Sequence, residues 1–310
     1  MATLHRIDQT TRAKLLLALC GVLWGVCWPV IKIGLIGFTP WTYRLLAFTV
    51  GAASLMTIVK LTGRRLMEPR GMTWVHLFAS SVLNVVAFGL FSTIAMLTAT
   101  TSRVAVVSYS FPVWACLLAW LILGEKLRGA GALGLVFCIA GLVVLVYPVL
   151  ESSAIIGLGL SLASAMTWAV GTIYLKLVRI PGDTLTNTAW QIAIAALVML
   201  VCVPIAQGWP SFEPAPAIAI AAVVFNGLLG SSLCYLLWYY IIGHLPMTTA
   251  SLGSLASPAV GVVTAALFLR EWPTLGDIIG FSLIFAAAAC AILQPRGRTE
   301  PPVPEPEMHR

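Results

Sequence analysis

Long apolar runs follow one another along the whole sequence, separated only by short clusters of glycine, proline and charge. The stretch from Leu45 to Val59 carries no charged side chain at all. Hydrocarbon selects such runs, and a helix that crosses a bilayer needs about 20 predominantly apolar residues. Lipid offers no partner for a free backbone N–H or C=O, so each run must close its hydrogen bonds within itself, as a helix does. The clusters fall at Gly37/Pro40, Gly63 to Gly71, Thr98 to Ser102, Gly124 to Gly129, Glu151 to Ser153, Pro181 to Asp183, Gly208 to Pro216, His244 to Pro246 and Glu271 to Pro273. They divide the chain into ten expected spans: residues 14–36, 40–61, 73–97, 101–124, 128–149, 154–177, 184–207, 215–241, 247–270 and 274–294. The expected fold class is all-α, an integral membrane bundle of ten transmembrane helices. Residues 1–13 are expected to form a cytoplasmic N-terminal segment and 295–310, rich in proline, a disordered cytoplasmic tail.

Only 9% of the residues are charged, against about 25% in a soluble domain. The net charge of +7 does not point to nucleic acid, because the basic residues sit at the ends of apolar runs and form no patch interleaved with aromatics. All seven cysteines lie inside apolar segments and none forms a C-x-x-C pair, so they read as small hydrophobes rather than metal ligands or disulfides. The first apolar run continues to about Ile36 without a small-residue cleavage site, which predicts a retained first helix rather than a signal peptide. Of the 18 basic residues, 14 fall on the side of the N-terminus, while Lys32, Arg44, Arg103 and Arg270 fall on the other. Cytoplasmic loops attract the excess of Lys and Arg, so both termini are expected in the cytoplasm of a cell whose inner (plasma) membrane holds the chain.

Residues 14–149 and 154–294 repeat one another. Trp24 falls on Trp168 and Lys32 on Lys176, both 144 residues apart, and Asn84 falls on Asn226, 142 apart. Pro112 falls on Pro258, Glu125 on Glu271 and Gly134 on Gly280, all 146 apart. Five helices per half is an odd number, so the second copy is expected to enter the membrane from the opposite face. Inverted five-helix repeats of this kind are a hallmark of secondary transporters, in which similar halves exchange conformations around a central site.

The stretch from Ser110-Phe-Pro-Val to Leu123-Gly-Glu-Lys-Leu, followed by Gly131 to Gly141, resembles the fourth and fifth helices of an EamA-type module. Ala256-Ser-Pro-Ala to Leu269-Arg-Glu-Trp, followed by Gly276 to Gly280, repeats that pattern. Trp24-Gly25 and Thr39-Pro40 followed by Arg44 also resemble the first module. Ala287 stands where the first repeat has Gly141, and Arg44 has no clear partner, Trp190 and Gln191 being nearest. The resemblance implies the ten-helix exporter branch of the drug/metabolite transporter superfamily, and with it outward transport of amino acids, aromatic ones included.

Polar and amphipathic side chains deep in a membrane are costly, so those near the midplane are the candidate substrate-binding residues: Trp24, Asn84, Tyr109, Trp168, Trp190, Asn226, Ser254 and Ser257. Ser108 and Ser110 lie at the same depth. The plainer alternative is an interhelical hydrogen bond for the polar groups and simple burial for the indoles. Pro112 and Pro258 interrupt matched helices and are candidate hinges. Gly21-x-x-x-Gly25 and Gly276-x-x-x-Gly280 suit close helix approach. Lys32 and Arg44 lie just inside the outer surface, where they can snorkel to it or form a gate contact, and Glu125 and Glu271 at helix ends are expected to form solvated ion pairs rather than proton sites.

All eleven acidic residues fall in loops, tails or helix ends, which leaves no midplane proton relay and predicts facilitated diffusion. The central region is expected to lack Lys and Arg as well, which disfavours highly anionic solutes. Neutral or zwitterionic metabolites, amino acids above all, are the expected small-molecule partners, apart from the lipid bilayer itself. Alternatives are a carrier of the same fold for drugs, purines or other metabolites, proton-coupled or not, and an intramembrane enzyme. The four histidines are scattered at ends, so no catalytic residue, metal site or cofactor is expected. A monomer is expected.

Overall fold

A computed structural model describes residues 9–64, 69–124, 129–178, 180–209, 214–245 and 254–293. Throughout these residues the regular structure is helical. Helix α1 covers Gln9–Gly34 and α2 Pro40–Leu61. Helix α3 runs Met72–Ser80, widens to a π-helix over Ser81–Ala87, and resumes over Phe88–Ala95. Helix α4 has two pieces, Thr101–Ser108 and Phe111–Leu123, and α5 covers Gly129–Val146. Helices α6 and α7 cover Ala154–Val178 and Thr184–Gln207. Helix α8 runs Ala217–Phe225, widens to a π-helix over Asn226–Leu233, and ends as Cys234–His244. Helices α9 and α10 cover Ala256–Leu269 and Leu275–Leu293.

The first eight are long and apolar enough to cross a membrane, and the last two are shorter apolar helices. Helix α1 begins at Gln9, inside the segment 1–13 expected to precede it. Residues 1–8, the tail from 295, Glu125 with its neighbour Lys126, and 247–253 of the expected ninth span lie outside the described residues.

Local chemistry sets the helix ends. Thr39 caps α2 by accepting from the Thr42 N–H at 3.2 Å, with Pro40 in the first turn, where its missing donor costs nothing. Asp183 caps α7 in the same way through Thr186. Burial acts to raise the Asp183 carboxyl, but the Arg64 guanidinium and the Thr186 N–H outweigh it and hold it below the usual carboxylate range. Helix α4 ends at Gly124, in a left-handed conformation that glycine adopts freely. The matching end of α9 is Arg270, the one non-glycine at positive φ among the described residues.

Exchanging the halves preserves the contact pattern. Helix α1 lies on α9 and α8, and correspondingly α6 lies on α4 and α3. Helix α2 meets α7 and α8, while α7 meets α2 and α3; α5 and α10 meet each other. Small residues permit the closest approaches: a Cβ on Gly25 of α1 would come within 2.5 Å of Val260 and 2.8 Å of the Ser257 carbonyl of α9. Gly141 of α5 and Gly280 of α10 sit against each other's backbone carbonyls.

Buried polar groups stitch these interfaces. Gln191 of α7 donates to Ser80 Oγ at 3.1 Å and accepts from the Tyr239 hydroxyl at 2.6 Å, tying α3, α7 and α8 together. Ser108 and Ser164 share a 2.8 Å hydrogen bond between α4 and α6. Ser110 donates to the Val107 carbonyl and accepts from the Trp114 indole, so it is a local tie within α4. Glu271 is not a solvated ion of an ion pair: its carboxylate accepts from the Thr101 N–H at 2.7 Å and so caps the start of α4 from the other half. Asp277 of α10 accepts from Arg103 Nε of α4 at 2.5 Å. Lys32 donates to the Met96 carbonyl, where a cation suits the C-terminal carbonyls of α3.

Candidate functional site

A cavity of about 70 Å³ lies between the halves, lined from α1, α2, α3, α4, α6, α8 and Ser254 just before α9. It has room for roughly five waters at 10–15 Å³ apiece. Its centre is Trp24, buttressed edge-on by Trp168 at 6.3 Å and Tyr235 at 5.8 Å, and tilted against Trp238 at 5.9 Å. Phe88 and Phe111 flank Trp168 at 4.8 and 5.8 Å, and Trp28 meets Tyr109 at 6.2 Å. Rings set edge to face hold one another in place through their quadrupoles, so the walls form a mutually braced aromatic box.

The π-helical turns position this box. Trp24 Nε1 donates to the Gly230 carbonyl at 3.2 Å, inside the π segment of α8. The indole N–H is therefore committed to protein, and Trp24 offers a solute its ring and not its donor. In the other half Asn84, in the π segment of α3, donates to the Trp168 carbonyl at 3.2 Å. Gly171 leaves space for this, since a Cβ there would stand 2.1 Å from Asn84 Oδ1. The Tyr235 hydroxyl donates to the Asn84 carbonyl at 3.1 Å. Wide turns free backbone carbonyls from the regular ladder, and here those carbonyls anchor aromatic walls.

Of the candidate residues, Trp24, Tyr109, Trp168, Asn226 and Ser254 line the cavity together. Asn84 does not; it is buried behind the wall. Ser257 is fully buried next to Tyr109 and is also outside the lining. Trp190 belongs elsewhere: it stacks edge-on with Trp74 at 4.9 Å, away from the cavity. Both prolines stand just after a break in their helix. Pro112 is the second residue of Phe111–Leu123, following the turn at Tyr109–Ser110, and Pro258 is the third of Ala256–Leu269, following the turn at Leu255.

Arg44 overturns two expectations. It does not snorkel to a surface, and the central region does not lack a basic group: Arg44 is 6% exposed and lines the cavity. Its Nε donates to the Gly89 carbonyl at 2.9 Å and Thr93 Oγ1 at 2.6 Å, and Nη1 reaches Asn226 Oδ1 at 3.5 Å. Depth along the helix had suggested the surface; facing decides otherwise. Arg44 shares the buried stripe of α2 with Ala47, Phe48, Gly51 and Leu55, a three-and-four spacing of small and apolar residues that could have marked it. Tyr235 and Trp238 were likewise missed, although they continue the stripe of Gly227, Gly230 and Cys234 on α8. No group of three or more His, Cys, Asp or Glu that could hold a metal occurs among the described residues.

The model of the EamA-like transporter family matches twice, over residues 11–147 and 155–293. The chain belongs to this family. An EamA-like transporter is a multi-pass membrane protein, in keeping with the apolar helices described above. An uncharacterized transporter of Bacillus subtilis, YvbV, is 26% identical over 88% of this chain and 89% of its own. Two similar proteins have more specific names. A probable amino-acid metabolite efflux pump of Escherichia coli is 24% identical over 85% of this chain and 89% of its own. A probable terminal-alkyne amino-acid exporter of Streptantibioticus cattleyicolor is 24% identical over 89% and 91%. A solved crystal structure superposes with a TM-score of 0.65 at 21% identity, covering 91% of this chain and 96% of the other, which shows a shared fold.

Proposed function

We propose that this EamA-like transporter exports small neutral or zwitterionic metabolites, chiefly amino acids with aromatic or hydrophobic side chains, by alternating access at the central cavity. The observation that carries this reading is the aromatic box between the halves, whose lining has no carboxylate among the described residues. A flat apolar wall suits a solute with an organic body, and aromatic faces also attract an ammonium group. The names of two relatives, a probable amino-acid metabolite efflux pump and a probable terminal-alkyne amino-acid exporter, support the same class. Without a carboxylate to relay protons, transport is facilitative.

On this reading the halves are inverted in the membrane, and the breaks ahead of Pro112 and Pro258 are where α4 and α9 bend as the cavity opens to alternate sides. The excess of basic residues on the N-terminal side puts both termini in the cytoplasm and the chain in the inner membrane. It works as a monomer, since the cavity is built within one chain. The test is a counterflow screen of the twenty amino acids and a few drugs in proteoliposomes. Exchange of aromatic amino acids is expected, and exchange of drugs alone would refute the amino-acid class.

A further inference from the structure

The cavity lining combines two kinds of chemistry. Trp24, Trp168, Tyr235 and Trp238 present rings; Arg44 adds a single guanidinium. Arginine stays charged even when buried, and an uncompensated buried charge is strongly unfavourable. Yet Arg44 has no carboxylate partner among the described residues: the ion pairs Arg64–Asp183 and Arg103–Asp277 both lie elsewhere.

The partners Arg44 does have are neutral, and they orient it. Gly89 O and Thr93 Oγ1 hold Nε from one side, and the rings of Tyr43 and Phe48 lie 5.9 and 5.8 Å from Cζ. Gly89 is shaped to this position, since a Cβ there would touch Cζ and Nε at 3.4 Å. Asn226 Oδ1 takes one Nη1 proton through a long 3.5 Å contact. Of the five guanidinium donors, those of Nη2 meet no acceptor among the described residues. A planar fork fixed at its base, lining a cavity and with Nη2 donors free among the described residues, matches a carboxylate in two-point contact.

We propose that Arg44 is the carboxylate-binding residue of the transport site. The solute is then a monocarboxylate with a compact apolar or aromatic body, an α-amino acid being its zwitterionic form. The inference rests on the cavity being the transport site. A second cation would be needed for a phosphate ester or nucleotide, and among the described residues Arg44 is the only Lys or Arg in the lining. The duplication explains why there is only one: with the caps Thr39 and Asp183 aligned, Arg44 falls on Thr188, whose hydroxyl donates to its own helix at Thr184. The matched asparagines differ accordingly. Asn226 Oδ1 receives Arg44, whereas Asn84 Oδ1 has no hydrogen-bond partner among the described residues.

The test is ligand-induced thermal stabilisation of the purified full chain in detergent, with three probes that share a ring: phenylalanine, 3-phenylpropionate, and phenylalaninamide, which lacks the carboxylate. The two acids are expected to stabilise the wild-type protein and the amide to be at least tenfold weaker. Arg44→Gln should abolish the difference, with Arg44→Lys intermediate because it keeps the charge but loses the fork. The wild-type comparison stands even if both variants fail to fold. Equal stabilisation by amide and acids, or no stabilisation by either acid, would overturn the assignment. Counterflow on the same preparation separates the two claims: carboxylate-dependent binding without amino-acid exchange sinks the transport reading alone, and amino-acid exchange inhibited equally by the amide sinks the role of Arg44 alone.

Discussion

Replacing Asp277 with alanine removes two interactions at once, and their sizes can be worked out separately. Asp277 sits in the first turn of α10, where Oδ2 accepts from Thr274 N at 2.9 Å and Thr274 Oγ1 at 2.8 Å, while Thr274 Oγ1 accepts back from the Asp277 N–H at 3.2 Å. Losing half of such a reciprocal cap costs about 1 kcal/mol. The other oxygen holds Arg103, and the two side chains are only 14% and 8% exposed. Stranding one member of a buried pair costs about 3–5 kcal/mol, and the lower end applies here because Arg103, in the first turn of α4, can extend towards water. The total is about 4 kcal/mol for Asp277→Ala. In the double variant Arg103→Leu/Asp277→Ala the stranded cation is gone, so the double should lose no more stability than Asp277→Ala by itself. Unfolding of the purified protein in mixed micelles, followed by tryptophan fluorescence, measures all three variants. If the double-variant loss equals the sum of the single losses within about 0.5 kcal/mol, the pair is uncoupled and the reasoning fails.

Gly171→Ala should drive Asn84 off the Trp168 carbonyl, costing about 1–3 kcal/mol for overpacking plus roughly 0.6–2 for the hydrogen bond, measured in the same unfolding assay. Arg270→Gly should stabilise by about 1 kcal/mol by relieving a left-handed conformation, provided the arginine side chain adds little. Trp168→Ala removes the ring that touches Trp24, Phe88, Phe111 and Tyr235; amino-acid counterflow should fall by at least tenfold while Trp168→Phe retains part of it. An imposed pH gradient should not concentrate substrate in proteoliposomes above its equilibrium level, and accumulation would refute facilitation.

Helix spans were legible because hydrocarbon length and cap chemistry are local. The expected span 184–207 coincides with α7, and Thr39-Pro40 announced α2. The aromatic centre was legible in part through the match of Trp24 with Trp168. What failed was orientation about the helix axis. Arg44 lies five residues into α2, and depth alone sends such a side chain outward, whereas Arg44 turns inward with Phe48. Trp190 has the right depth and the wrong face, towards Trp74. The two π-helical turns carry no local signature, since π geometry arises from contacts across helices; the matched Asn84 and Asn226 were their only trace.

A guanidinium that stays behind while its cargo departs also has an electrical consequence. A zwitterion leaving Arg44 moves no net charge, so its flux would be indifferent to voltage. A bare monocarboxylate taking the same route would carry one negative charge, and an interior-negative potential would push it outward with about 2.3 kcal/mol per 100 mV. The same pocket would then equilibrate amino acids yet drive the outflow of their deaminated analogues.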